Sequence, residues 1–232
     1  MRYLGGKSKI RKQIASFLES VRKPEQTYFE PFCGGCHVTQ EVTGNRMAGD
    51  GNYALITMYR ALQKGWIPPQ CVTEELYAKY KAYPDPYDPA TAFVGIGCSF
   101  GGKWFGGYAR QKGYDFAIGG TNAIMRQLPK IQDVIFHYGN YWEHNPQDML
   151  VYCDPPYEGT TTYGAFKEFD HTRFWNTMRI WSRDNTVVIS EYSAPDDFKC
   201  VLEIPTKTII RDSSNKPLLS VEKLFMYGVT KC

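Results

Sequence analysis

The sequence predicts an α/β protein: a mainly parallel sheet with helices, interrupted by a loop-rich and mostly helical insertion. Three observations carry this. Short apolar runs alternate with segments of helical period across residues 1–65. The alternation resumes over residues 131–232. Between them, residues 66–130 change character, with prolines in "IPPQ" and "YPDPYDPA" and glycines crowded into "GIGCSFGGKWFGGYARQKGYDFAIGG".

In chain order, "SKIRKQIASFLESV" puts Ile10, Ile14, Phe17, Leu18 and Val21 on one helical face, with Ser8 as its expected cap. "TYFEPF", residues 27–32, has the length and composition of a buried strand that stops at the glycines of "CGG", and a helix starting at Cys36 and His37 is expected to follow. "RMAGD", 46–50, is a second strand. "NYALITMYRALQKG" then places Leu55, Tyr59 and Leu62 on one face, with Asn52 as N-cap and Gly65 as terminator. After the insertion, "DVIFHYG" (133–139), "MLVYC" (149–153), "NTVVISEY" (185–192) and "EKLFMYG" read as strands. "DHTRFWNTMRIW" between them aligns Phe174, Met178 and Trp181 as a helix face.

The 232 residues suffice for a substantial core, and 43% hydrophobic with 22% charged content is ordinary for a globular chain. No apolar run approaches the ~18 residues of a membrane helix, and "MRYLGGKSKIRKQ" lacks the apolar region of a secretory signal. The expected setting is therefore the cytoplasm. Seven cysteines, an odd number, are then expected as free thiols. The net charge of +3 points mildly toward a polyanionic partner. Lys103, Arg110, Lys112, Arg126 and Lys130 lie in a segment whose only acid is Asp115; solvated surface is the plainer explanation of the same charges.

"PFCGGCHV", 31–38, admits three readings. Cys33 and Cys36 have redox-pair spacing, and with His37 they match c-type haem attachment. Alternatively the glycines matter, forming a turn at a strand end that lets a ligand approach the backbone. Haem would require export, and a zinc site would require a second close ligand pair; the remaining cysteines are scattered singly. "LGGKS" fails as a phosphate loop because neither the earlier glycine nor a preceding strand exists.

"MLVYCDPPYEG" delivers Asp154, Pro155, Pro156 and Tyr157 at the carboxyl end of a strand, where open α/β sheets bind ligands. Two prolines fix the backbone and leave carbonyl acceptors, Asp154 adds a carboxylate, and Tyr157 adds an aromatic face. Alone, these four residues suit a plain strand ending in a rigid Pro-Pro turn slightly better than a ligand socket. Asp50, however, ends the strand that follows the glycine turn, at the distance expected of an acid that binds ribose hydroxyls. Together they suggest a nucleoside-containing cofactor beside a socket for an exocyclic amine.

In this combination and order, "RYLGGKSKI", "FEPFCGG", "AGDGN" and "VYCDPPY" resemble the DNA N6-adenine methyltransferases of the Dam type, which use S-adenosylmethionine. The resemblance implies a Rossmann-like methyltransferase sheet, formed by 1–65 and 131–232, with 66–130 as a target-recognition module. It implies that Tyr3 and Lys7 lie over the cofactor, and that Glu30, Pro31, Phe32, Cys33, Gly34 and Gly35 surround its methionine part. Asp50 would hold the ribose, and Asp154, Pro155, Pro156 and Tyr157 the target adenine, with Asp154 also beside the cofactor. The family often has an acid near the cofactor adenine where this chain has Asn140, followed by Tyr141. Arg2, Lys103, Trp104 and Arg110 would contact double-stranded DNA. No metal and no obligate protein partner are implied. A catalytically inactive DNA-binding module of the same fold is the alternative within this resemblance, and a haem or thiol redox protein using Cys33 and Cys36 is the alternative outside it.

Overall fold

The computed structural model of the chain describes residues 1–158, 169–211 and 217–228. Among these, seven strands form one sheet: β1 (Thr27–Glu30), β2 (Arg46–Asp50), β3 (Ile135–Tyr138), β4 (Met149–Cys153), β5 (Thr186–Glu191), β6 (Phe198–Arg211) and β7 (Pro217–Tyr227), in the order β3-β2-β1-β4-β5-β7-β6. The first five are parallel, and β7 runs antiparallel to both β5 and β6. This is the α/β architecture expected from the alternation of strands and helices.

Side-chain alternation decides how the helices pack. Tyr28, Leu150, Tyr152 and Val188 point to one face and form a core with Ile14 and Leu18 of α1 (Arg11–Val21). Phe29, Val151, Cys153, Val187 and Ile189 point to the other and meet Phe174, Met178 and Trp181 of α6 (His171–Trp181). Because both faces are covered, β4 and β5 are almost continuously buried rather than alternating. Leu55, Tyr59 and Leu62 of α2 (Tyr53–Gln63) are buried as their spacing predicts. Asn52 caps α2 by accepting from Leu55 N at 3.3 Å, and Gly65, at φ +90°, follows its last turn.

Residues 66–130 contain α3 (Glu74–Ala82), α4 (Pro89–Ala92) and α5 (Phe116–Gln127), with a π-helical turn at Phe93–Gly97 and a long loop between α4 and α5. Phe93, Val94, Ile96 and Ile124 from this stretch share one core with Leu55 and Tyr59 of α2 and Phe136 of β3.

Two local expectations are corrected, and one strand was not expected. Ser8 does not cap α1, whose N-cap position is Ile10 with no side-chain bond. No helix starts at Cys36 and His37: Cys36 sits at φ +52°, and the Thr39 N–H goes to the Glu30 carboxylate at 3.0 Å instead of to a helical carbonyl, so 36–41 remains a set of turns. β6 is absent from the strands expected of the sequence because Pro205 interrupts its run of extended residues; proline is tolerated there because β6 is an edge strand.

Candidate active site

Chain direction across the sheet reverses between β1 and β4, since β2 and β3 lie on one side of β1 while β4 and β5 lie on the other. In open α/β sheets the crevice outside the strand ends at such a reversal is where ligands bind. Phe29 of β1 pairs with Val151 of β4, so the loops that follow, 31–35 and 154–157, leave the sheet side by side. Segments more than a hundred residues apart in sequence thus meet at one edge.

The first loop is held by its backbone. Cys36 N donates to Cys33 O at 2.7 Å, Cys33 N to Gly49 O at 2.8 Å, and Gly34 N to Asp50 Oδ2 at 3.0 Å. Tyr59 Oη donates to Gly34 O at 2.8 Å. Gln127, from the end of α5, donates to Gly35 O at 2.9 Å and Cys36 O at 3.0 Å. Gln127 belongs to the insertion, and no sequence motif marked it. Gly34 is at φ +43°, and a Cβ there would lie 2.7 Å from the Tyr3 ring. The glycines therefore admit the N-terminal segment, which crosses directly over the turn. On its other side a Cβ on Gly102 would lie 3.0 Å from the backbone of Arg2 and Tyr3, and Leu4 N donates to Gly102 O at 3.1 Å. Cys33 and Cys36 are buried, and burial, reinforced by Cys36, pushes the Cys33 thiol up. With no helix N-terminus beneath it, and with its own thiol pushed up by burial, Cys33 lacks the features that activate a redox thiol. Among the described residues no cluster of three or more His, Cys, Asp or Glu side chains is arranged to hold a metal.

Asp50, at the end of β2, accepts from Gly34 N through one oxygen and from Asn52 N at 2.8 Å through the other. Burial raises its pKa to about 6 against those two bonds. Each carboxylate oxygen keeps a second acceptor position. Phe32 packs on Tyr141 at 5.2 Å between ring centroids, with Phe174 5.9 Å from Phe32. Asn140 is exposed and its amide is committed to the next turn, donating to Glu143 Oε1 at 3.0 Å.

The second loop is organised by charge. Lys7 Nζ donates to Asp154 Oδ1 at 2.7 Å, lies 3.6 Å from Glu222 Oε1 on β7, and sits 4.7 Å from the centre of the Tyr157 ring. Tyr157 Oη donates to the same Glu222 oxygen. Burial works to lower the Lys7 pKa, but Asp154 and Glu222 outweigh it and the net shift is upward. Beyond Tyr157, Glu158 N donates at 2.8 Å to Glu191 at the end of β5. Pro155 is buried and Pro156 exposed. Two carboxylates thus share one ammonium, leaving the crevice with excess negative charge beside Asp50. That donor set fits S-adenosylmethionine, a sulfonium cation with ribose hydroxyls.

Glu30, the last residue of β1, turns inward. It accepts from Tyr28 Oη at 2.7 Å and from both the N–H and the hydroxyl of Thr39. Burial raises its pKa to about 8, against the hydrogen bonds from Thr39 and Tyr28 and with help from the Asp154 charge. The folded state therefore holds a proton that the unfolded chain, with an ordinary value of 4.5, has already released. Stability contributed by that proton is present below pH 4.5 and lost as pH rises to about 8. Glu30→Gln is expected to gain stability relative to the parent across this window, measured as the difference in melting temperature between pH 5 and pH 8.5. Taking the difference removes the common contributions of Asp50 and His37. A constant difference across that range would contradict the shift.

In the insertion, Arg110 is exposed, pairs with Glu74, and stacks 5.5 Å from the Tyr108 ring. It lines an open groove of about 500 Å³ together with Tyr108, Gln111, Tyr114 and Phe116. Arg2 lies 4.0 Å over the Phe116 ring. Lys103 is half-buried, and Trp104 packs edge-on against Phe105 at 4.9 Å, partly buried on the core. Among the described residues, no helix is long and apolar enough to cross a membrane.

Residues 3–96 match the model of the D12 class N6 adenine-specific DNA methyltransferases, so the resemblance read from the sequence is borne out over that span. No curated protein matches the chain. The solved structure of SMU.472, described as a candidate methyltransferase complexed with SAH, aligns at 15% identity and a TM-score of 0.35 over 98% of this chain. This chain spans about half of that one, 55%.

Proposed function

We propose that the chain is a site-specific DNA adenine methyltransferase, which moves a methyl group from S-adenosylmethionine to the exocyclic amine of an adenine flipped out of a duplex. The observation that carries this reading is the meeting of the 31–35 turn and the 154–157 loop at the sheet's reversal point. The family match over residues 3–96 covers the first of these and supports the same chemistry.

In this reading the cofactor, when bound, supplies a methyl group activated on a sulfonium. The protein does the rest by placement. Tyr3, Lys7, and residues 30–35 enclose the methionine part, Asp50 accepts from the ribose hydroxyls, and Tyr141 with Asn140 borders the cofactor's base. The adenine amine is a poor nucleophile because its lone pair is delocalised into the ring. Asp154 and the Pro155 carbonyl accept its two N–H bonds, drawing the lone pair out of the ring plane; as N6 takes the methyl, one of its two protons is given up by way of Asp154 to solvent. Pro156 fixes the turn, and Tyr157 stacks on the base. Lys7 orients the Asp154 carboxylate through the bond its ammonium donates to one oxygen. An adenine within a duplex cannot reach this crevice, so flipping is required.

Residues 66–130 are the DNA-reading module in this proposal, with Arg2, Lys103, Trp104 and Arg110 as contacts. Arg110→Ala combined with Lys103→Ala is expected to weaken duplex binding and to lower the salt dependence of log K by up to about 0.9 for each phosphate that is no longer neutralised. A binding titration in 50–200 mM salt reads this, and an unchanged slope would remove both residues from the interface. The test of the proposal itself is transfer of labelled methyl from S-adenosylmethionine to mixed-sequence duplex DNA. Label recovered as N6-methyladenine is expected; label on cytosine, or none on DNA, would overturn it.

A further inference from the structure

Glu222 is a charged side chain only 8% exposed, on a strand far in sequence from either loop of the crevice. One of its oxygens, Oε1, both accepts the Tyr157 hydroxyl and lies 3.6 Å from Lys7 Nζ. Lys7 in turn bonds Asp154 at 2.7 Å. The result is a closed ring, Asp154–Lys7–Glu222–Tyr157, in which β7 is joined to both ends of the 154–157 loop. Burying a carboxylate is costly, and an apolar side chain of similar size often serves a fold at least as well. At position 224, the next residue pointing to the same face, β7 carries a fully buried leucine. The carboxylate at 222 is thus best explained by what it does to its neighbours.

We propose that Glu222 is a positioning residue for the target base. It fixes the Tyr157 ring through the phenol and holds Lys7 between two carboxylates. Lys7 then engages Asp154 through one oxygen, and the other is left to accept from the substrate amine. This inference rests on the methyltransferase reading above, and it adds to that reading a residue from the last strand.

The experiment is steady-state methyl transfer by the full chain, using labelled S-adenosylmethionine and an adenine-containing duplex. The proteins compared are the parent, Glu222→Leu, Glu222→Gln, Tyr157→Phe and the double variant Glu222→Leu/Tyr157→Phe. Glu222→Leu is expected to lower kcat about 10–100-fold, the scale of an ångström-sized misplacement. Its KM for the cofactor and its melting temperature are expected to stay near the parent's. Glu222→Gln is expected to recover most of the loss, because its amide oxygen still accepts the Tyr157 hydroxyl. In the double variant, losing Glu222 is expected to cost less than in the parent, since the shared bond is already gone. A kcat for Glu222→Leu within twofold of an active parent, or costs that simply add, would overturn this inference alone. If Glu222→Leu does not fold, equal activity of parent, Glu222→Gln and Tyr157→Phe would overturn it instead. A parent that transfers no methyl would remove the enzyme reading and this inference together.

Discussion

Asp154→Ala is expected to reduce methyl transfer by about 10²–10⁴-fold, the range lost when a positioned acceptor of the reacting group's protons is removed. The variant deletes an acceptor for the adenine amine and releases Lys7 from its 2.7 Å partner. Lys7 still faces Glu222 at 3.6 Å, so the buried ammonium is not left uncompensated and the fold is expected to persist. Asp154→Asn separates shape from charge. Its amide oxygen can still accept one bond, but its NH₂ replaces an acceptor with a donor. It is expected to retain more activity than alanine and far less than the parent. Single-turnover transfer with saturating cofactor and DNA reads the chemical step. Alanine and parent rates within a few-fold of each other would remove Asp154 from the chemistry.

Gly34→Val carries the largest expected cost in stability. The position is in the left-handed region at φ +43°, and a Cβ would lie 2.7 Å from the Tyr3 ring. The backbone alone costs a β-branched residue about 1–2 kcal/mol, and overpacking against Tyr3 adds about 1–3 kcal/mol. The Tyr3 ring must move, taking the N-terminal segment off the turn. Cofactor affinity is expected to fall with it, because Gly34 N also orients Asp50. Gly113→Val is the control: φ is +73°, but nothing lies within 4 Å of the added Cβ. It should show only the backbone cost. Denaturant unfolding of the two variants measures the difference, and equal losses would mean that the packing of Tyr3 on Gly34 does not constrain the turn.

Much of the scaffold was legible because its periods are clean. Phe174, Met178 and Trp181 repeat at helical spacing and are buried together, while the apolar runs of β4 and β5 match strands covered on both faces. What failed was local or long-range. The turns at 36–41 replace a helix because Thr39 bonds to Glu30, which no periodicity reveals. β6 was hidden by Pro205, whose tolerance depends on the strand lying at the sheet's edge. Within the crevice, Asp154, Tyr157, Lys7 and Asp50 were marked by motifs and converge at one end of the sheet. Gln127 and Glu222 were not, since each acts by reaching a loop distant in sequence. Asn140 stood out by its place after a strand, yet its amide serves the turn ahead of it.

The central claim is that one crevice holds both the methyl donor and the everted adenine. A crystal structure with a non-reactive analogue of S-adenosylmethionine and a duplex bearing its target adenine tests it most directly. The account predicts the analogue against Asp50 and the turn at 31–35, with the adenine amine within hydrogen-bond reach of Asp154 and the Pro155 carbonyl. An analogue seated elsewhere, such as the groove lined by Tyr108 and Arg110, or an adenine that remains stacked in the duplex, would contradict it.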